Sequence, residues 1–564
     1  MGTAEHHDVI VVGSGFGGSV TACRLAEAGM DVCVLERGKA IAPGDFPRTA
    51  RELRDAFWDP SEGLHGMFDV WSFRQLGAVV ASGLGGGSLI YANVLLRKDP
   101  AWFTELRDGQ PWTWPVSYED LAPHYDRVEG DLRPEPFPDE HLPRSPKAVA
   151  FAQAAADAGL ETFRPPLAVA FAEPGATTAR PGRPLPDDGN LHDAPRRTCT
   201  LCGACDLGCN DGAKQTMDLT YLSRAKRAGA TIHTRTEVRE ITPRPGGGYA
   251  ISAVTHPPER EGRPTDTRDP ALSPRAEFTC DRLVLAAGAL GTTYLLLRNR
   301  AALPRLSPAL GTRFNGNGDH LAFVRRAGRP TSGSATLLRE LEGSRGPVIT
   351  TTARAGDDHS GMAGYYLQDA GYPAHTAWML QLVGTPRAMW HAKRTLRRLA
   401  RERLTGHVDP RVGAEISSLF GDLRTSAGFL PLLGMGREIA HARLYLDGDT
   451  LLTDWSRERA GRVFGRLRGA SRAIATRLGG RFSADPGGRR RPPTITVHAL
   501  GGAPMGRTPD EGVVDAYGRV FGHPGLTVAC GAAMPGSVGP NPSLTIAALA
   551  DRHAEQILRE EGRA

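Results

Sequence analysis

The first forty residues constrain the chain more than any other stretch. Asp8 to Val12 is a short apolar strand that runs directly into Gly13-Ser14-Gly15-Phe16-Gly17-Gly18. Ser19 to Ala28 has helical character, Val32 to Leu35 reads as a second strand, and Glu36 closes it. Strand, glycine turn, helix, strand and terminal acid together make a βαβ dinucleotide unit. Gly13 permits the sharp turn, Gly15 lets backbone approach a pyrophosphate, and Gly18 lets helix and strand close up. The free N–H groups at the helix N-terminus attract phosphate charge. Glu36 stands 18 residues beyond Gly18, where a carboxylate accepts from a ribose hydroxyl. A tight turn without a ligand is the blander account, and the full strand–turn–helix–strand context argues against it.

A chain of 564 residues can build two or more cores, and its net charge of +6 is too small for a nucleic-acid footprint. No apolar run is long enough to cross a bilayer, and the fingerprint begins at residue 8, so a cytoplasmic protein is expected. Eight cysteines in a chain of this length do not form a disulfide framework.

Beyond the fingerprint, Ala78 to Asn93 (AVVASGLGGGSLIYAN) places Gly83, Gly85, Gly86 and Gly87 between apolar runs, with Ser88 opening the next segment. Flexible linkers are flanked by polar sequence, so this loop reads as backbone laid against a ligand. Residues 112–130 read as a turn and an amphipathic helix, and 134–195 as loop-dominated surface. Residues 231–242 alternate like a strand that ends at Gly246-Gly247-Gly248. Residues 281–297 read as a buried strand passing through Ala286-Ala287-Gly288 into a helix. Such a crossing either lies against a cofactor or simply packs helix on strand. From 321 to 490 the texture changes. Strands are expected at 347–353, 364–368 and 376–382, a hairpin at 443–455 turning at Asp447-Gly448, and a helix at 457–478 closed by Gly479-Gly480. The fold class is therefore α/β, α+β overall. A Rossmann-like domain spans 1–320 and 491–564, and a substrate domain of mostly antiparallel sheet and helices is inserted at 321–490.

These glycine-rich segments, with the C-terminal stretches VHALGGAPMG and GLTVACGAAMPGSVGPNPSLTIAALA, resemble the glucose–methanol–choline (GMC) oxidoreductase family, and within it the bacterial cholesterol-oxidase-like branch. The resemblance implies FAD, with its adenosine end on Gly13, Gly15, Gly18 and Glu36. Pyrophosphate and isoalloxazine are then expected near Gly85, Gly86, Ser88 and Asn93, with the adenine held at Val238 and further backbone contact at Gly288. It also implies that His498 and Asn541 form the catalytic pair. Two departures stand out. His498 is followed by Ala499-Leu500-Gly501-Gly502-Ala503, where the family usually has Pro-Leu-Gly-Gly-Cys, and Cys530 replaces the Asp that commonly precedes Gly531-Ala532 near the flavin.

The implied reaction is FAD-dependent oxidation of a secondary alcohol on a bulky apolar molecule, sterol-like or polycyclic, with hydride passing to flavin N5. A neutral imidazole suits the proton that must leave, so His498 is the expected base. Asn541, between two prolines, is either a donor to the substrate oxygen or a turn former. The rivals are a redox-neutral lyase or decarboxylase, and a flavin-binding partner without catalysis. Oxygen or an electron-acceptor protein would take the electrons.

Cys199, Cys202, Cys205 and Cys209 have the C-x2-C-x2-C-x3-C spacing of ferredoxin-type clusters, though Asn210 stands where Pro usually follows. An iron–sulfur cluster passing electrons to a partner is the leading reading, ahead of zinc and of free or paired thiols. Residues 386–405 form a basic amphipathic pattern, for which a solvated arginine face is favoured over peripheral membrane contact.

Overall fold

The computed structural model describes residues 4–107, 109–186, 189–269, 271–330, 336–358, 363–376, 424–484 and 493–563. The basic stretch 386–405, and all but the first residue of the strand expected at 376–382, lie outside them.

The Glu5–Val12 strand is followed by the Phe16–Glu27 helix and the Val32–Leu35 strand. It sits centrally in a seven-stranded sheet, parallel to Val32–Leu35 on one side and to Arg275–Leu285 on the other. Both faces of such a sheet are covered, which is why Val9, Ile10, Val11 and Val12 read as a continuous apolar run, all buried. Arg275–Leu285 is also joined by Leu526–Val528, bringing the C-terminal stretch back to the sheet. The Ser543–Glu560 helix then packs on Phe16–Glu27.

The alternating run at 231–242 yields two strands of this sheet. Thr231–His233 runs parallel to Val32–Leu35, whereas Thr236–Pro243 pairs antiparallel with Tyr249–Thr255. Arg235 takes a φ of 57° between them, and Glu36 bonds across the break through His233 O and Thr236 N. Alternation alone does not register such an interruption, because it leaves the period of two intact on either side.

The second sheet has six antiparallel strands, ordered Glu161–Phe163, Thr352–Ala355, Tyr365–Asp369, Leu430–Gly436, His320–Arg325 and Arg481–Ser483. The expected hairpin forms as Leu444–Asp447 against Thr450–Thr453, and the helix after it runs Val463–Arg477. Residues 134–195 are not all loop. Pro146–Asp157 is a helix that buries Phe151, Ala154 and Ala155 under the second sheet, and Glu161–Phe163 supplies that sheet's edge. The Pro- and charge-rich flanks mask this short alanine-rich helix in the sequence. Among the described residues no helix is long and apolar enough to cross a membrane.

Candidate active site

One cavity of about 800 Å³ joins the two sheets, within the size range of small-molecule sites. One end is main chain. Gly13, Gly15, Glu36 and Gly86 line it, and Val238 lines it further out. Gly13 holds a φ of 98°, where a Cβ would lie 2.6 Å from Ala286 O. The two glycine loops meet directly, since a Cβ on Gly86 would stand 2.5 Å from Gly15 Cα. By contrast, a Cβ on Gly87 or Gly288, both on the lining, would meet nothing within 4 Å. This is a cradle stripped of side chains where an extended phosphate-bearing group can lie, at the N-terminus of the Phe16–Glu27 helix. The residues present therefore fit FAD. Glu36 accepts at present from Ser14 N and Oγ (3.0 and 2.6 Å) and from Gly38 N (2.9 Å), which fixes its carboxylate at the lining.

Four expected cofactor residues stand off the lining. Gly18 packs against Gly13, where a Cβ would be 2.0 Å from Gly13 O. Gly85 turns the second loop, and Ser88 Oγ donates to Gly85 O at 2.7 Å while accepting from Met217 N. Asn93 is buried at a φ of 69°, with both side-chain polar atoms unpartnered among the described residues, while its neighbours Ala92 and Val94 line the cavity.

The other end brings together His498, Asn541, Cys530 and Gly531, with the second sheet opposite. His498 Nδ1 lies 2.7 Å from Asp319 Oδ1. Asp319 is buried, and its other oxygen accepts from Val497 N (2.8 Å), His498 N (3.2 Å) and Thr496 Oγ1 (2.9 Å). A carboxylate only accepts, so in the neutral imidazole the proton is on Nδ1 and the lone pair on Nε2. Cys530 lies 3.3 Å from Thr292 Oγ1, and burial raises its thiol above the usual range, so this position is neutral where an aspartate would be charged.

One short segment wires this end together. Asn315 exchanges backbone bonds with Leu500, 3.0 Å each way. Asn317 accepts from Gly539 N at 2.8 Å and donates to Pro540 O at 3.0 Å. Asp319 holds His498. Glu438 braces the segment by accepting from Gly316 N, Gly318 N and the Trp455 indole. Sequence reasoning assigned no role to Asn315, Asn317, Asp319 or Glu438. The one available signal was the alternation Asn-Gly-Asn-Gly-Asp, which sets polar side chains into a glycine-punctuated turn.

The clustered cysteines are not gathered as a set of metal ligands. Among the described residues no three His, Cys, Asp or Glu side chains come together as a set of ligands. Cys199, Cys202, Cys205 and Cys209 are free, with Cys202 on the surface and Cys199 and Cys205 buried. Burial pushes Cys205 up to about 11 and raises Cys199 and Cys209, so without a ligand these three are neutral thiols. This geometry does not fit an iron–sulfur or zinc site. The loop acts instead as a clasp. Lys214 Nζ donates to Cys205 O (2.7 Å), Leu89 O and Tyr91 O (3.0 Å each), and Cys202 bridges to Gly346 beside the second sheet.

The family described as FAD dependent oxidoreductase matches residues 8–110, and that described as GMC oxidoreductase matches 190–315 and 487–550. A cholesterol oxidase of Mycobacterium tuberculosis is 32% identical, covering 97% of this chain and 90% of its own. A cholesterol oxidase of Acinetobacter baumannii is 28% identical, covering 98% and 94%. The crystal structure of pyridoxine 4-oxidase from Mesorbium loti shares the fold, with a TM-score of 0.57 at 19% identity, covering 98% of this chain and 99% of that one. A glycine cradle, an Asp-held imidazole and relatives spanning nearly the whole chain lead to one conclusion: the chain is an FAD-dependent oxidoreductase acting on alcohol-type donors and belongs to the GMC oxidoreductase family.

Proposed function

We propose that the chain oxidises a secondary alcohol on a bulky, apolar, sterol-like or polycyclic molecule, with His498 as base and Asn541 as a donor to the reacting oxygen. The observation that carries this reading is the wall opposite His498. Leu321, Val348, Ala370, Pro431 and Leu433 line it, all apolar, so a substrate there is held by area and oriented by a few polar groups at its reacting end. Bound FAD supplies the hydride acceptor. In the tautomer that the bond to Asp319 selects, His498 Nε2 is the acceptor nitrogen and takes the hydroxyl proton, and Cys530 beside it is a neutral thiol. Oxygen or an acceptor protein takes the electrons onward.

The test is anaerobic bleaching of the flavin. Cholesterol in detergent should reduce it, and a small polar alcohol such as glycerol should do so at least about tenfold more slowly, given the lost apolar contact. Equal rates, or no bleaching by any apolar secondary alcohol, would refute the reading. A redox-neutral reaction would leave the flavin oxidised at the end.

A further inference from the structure

Asn541 has a partner that the reaction scheme does not use. Gln368 lies on the Tyr365–Asp369 strand of the second sheet, opposite Leu433 in register. Cross-strand partners point to the same face, and Leu433 lines the cavity, so Gln368 is on the cavity side of the sheet. It is fully buried. Its Nε2 donates to Asn541 Oδ1 at 3.0 Å and to Thr352 Oγ1 at 3.2 Å, while its Oε1 has no partner among the described residues. Among the described residues no protein group accepts from Asn541 Nδ2, and Asn541 lines the cavity between Pro540 and Pro542.

We propose that Gln368 is a positioning residue which, by donating to Asn541 Oδ1, turns the Asn541 amide so that its N–H2 faces the cavity as a donor to the substrate's oxygen. The amide has two faces of opposite polarity, and they are nearly equal in shape. Only one of them can stabilise an oxygen that becomes more negative as its proton leaves, or grip the carbonyl of a ketone product, which only accepts. Nothing in Asn541 itself selects between them. A buried donor on the Oδ1 side does: reversing Asn541 alone would set two N–H groups against each other, and reversing both amides would move the Gln368 N–H2 to where its Oε1 has no partner among the described residues, stranding two buried donors in place of one acceptor. The choice is thus imposed by the substrate-side sheet, 173 residues away in sequence. This inference rests on the reading of Asn541 as a group that meets the substrate.

The test uses FAD-loaded Gln368→Leu and Gln368→Glu with two readouts, anaerobic flavin reduction by cholesterol and binding of the saturated ketone cholestanone followed by the flavin spectrum. Gln368→Leu should retain FAD, bind cholestanone about tenfold more weakly and reduce about 10–100-fold more slowly, the scale of one lost oriented donor. Relative to the wild type, whose reduction already varies with pH through His498, Gln368→Glu should show a deficit that itself changes with pH. Its protonated carboxyl donates to Asn541 Oδ1 as glutamine does, whereas its carboxylate can only accept, which reverses the amide. Both readouts should therefore approach wild type at acid pH and fall toward the Gln368→Leu values as pH rises. Cholestanone affinity equal to wild type in both variants, or a Gln368→Glu deficit constant across pH, would overturn the proposal. If cholesterol does not reduce even the wild type but cholestanone binding follows the pattern, the orientation stands and the alcohol-oxidation reading fails.

Discussion

At one end of the cavity the lining is main chain, and at the other it is side chains held by other side chains. The dinucleotide end comes from Gly13, Gly15, Gly86 and the small-residue crossing at Ala286-Ala287-Gly288, where specificity consists of what is absent. The proposed alcohol end holds His498 and Asn541, in a segment wired by Asp319, Asn317 and Glu438. The first end tolerates no added atom, whereas the second tolerates no lost bond. Substitutions should therefore fail differently at the two ends, by losing the cofactor at one and by losing rate with the cofactor in place at the other.

The largest effect should follow from Gly86→Ala. Gly86 holds a φ of 53°, and the new Cβ would sit 2.5 Å from Gly15 Cα, which is backbone and cannot step aside. The purified variant should carry little or no FAD by absorbance. Full flavin content would mean that the two glycine loops part easily, and the contrast between the ends would weaken.

His498→Ala should keep its flavin and lose roughly 10²–10⁴-fold in the rate of anaerobic reduction, the usual span for a general base. Unchanged reduction would remove the imidazole from the chemistry. Asp319→Asn sharpens the same point. An asparagine amide can donate to Nδ1, which moves the ring proton to Nε2 and removes the base without removing the ring. The expected loss is about 10–100-fold with FAD retained. A wild-type rate in Asp319→Asn would show that the bond to Asp319 does not set the tautomer.

This difference between the ends also explains what the sequence could reveal. The fingerprint from Gly13 to Glu36 is contiguous, and each residue's role follows from local geometry, so strand, turn, helix and acid were legible together. His498 and Asn541 were expected from family resemblance, and both line the cavity, but the residues that hold them were not expected. Asp319 lies 179 residues from His498, and Asn317 lies 222 residues from Gly539. No local period records such pairings. Spacing and placement also part at the cysteines, for a related reason. Spacing records which thiols a short loop could bring together, whereas burial and the pull of Lys214 on three carbonyls decided how the loop lies.

The smallest expected effect concerns Glu438, which braces the wiring segment without touching the cavity. Burial pushes its carboxyl up to about 7, and the charge on nearby Asp319 adds to the rise, against the pull of the Trp455 indole and the Gly318 and Gly316 N–H groups. Its ordinary value is 4.5, so between 4.5 and about 7 the folded protein holds a proton that the unfolded chain has released. Stability from this group is therefore fully present below 4.5, declines as pH rises toward 7 and is level above it. At about 1.4 kcal/mol per pH unit this is on the order of 3 kcal/mol, which for a chain of this length corresponds to a melting shift of about 2–3 °C. Glu438→Gln cannot titrate. It should melt lower than wild type at every pH, because its amide N–H2 faces backbone donors, but without the decline between pH 5 and 7.5. If the variant keeps the wild-type slope, the proton taken up on folding belongs to another group, and Glu438 braces the Gly316–Asp319 turn as an ordinary carboxylate.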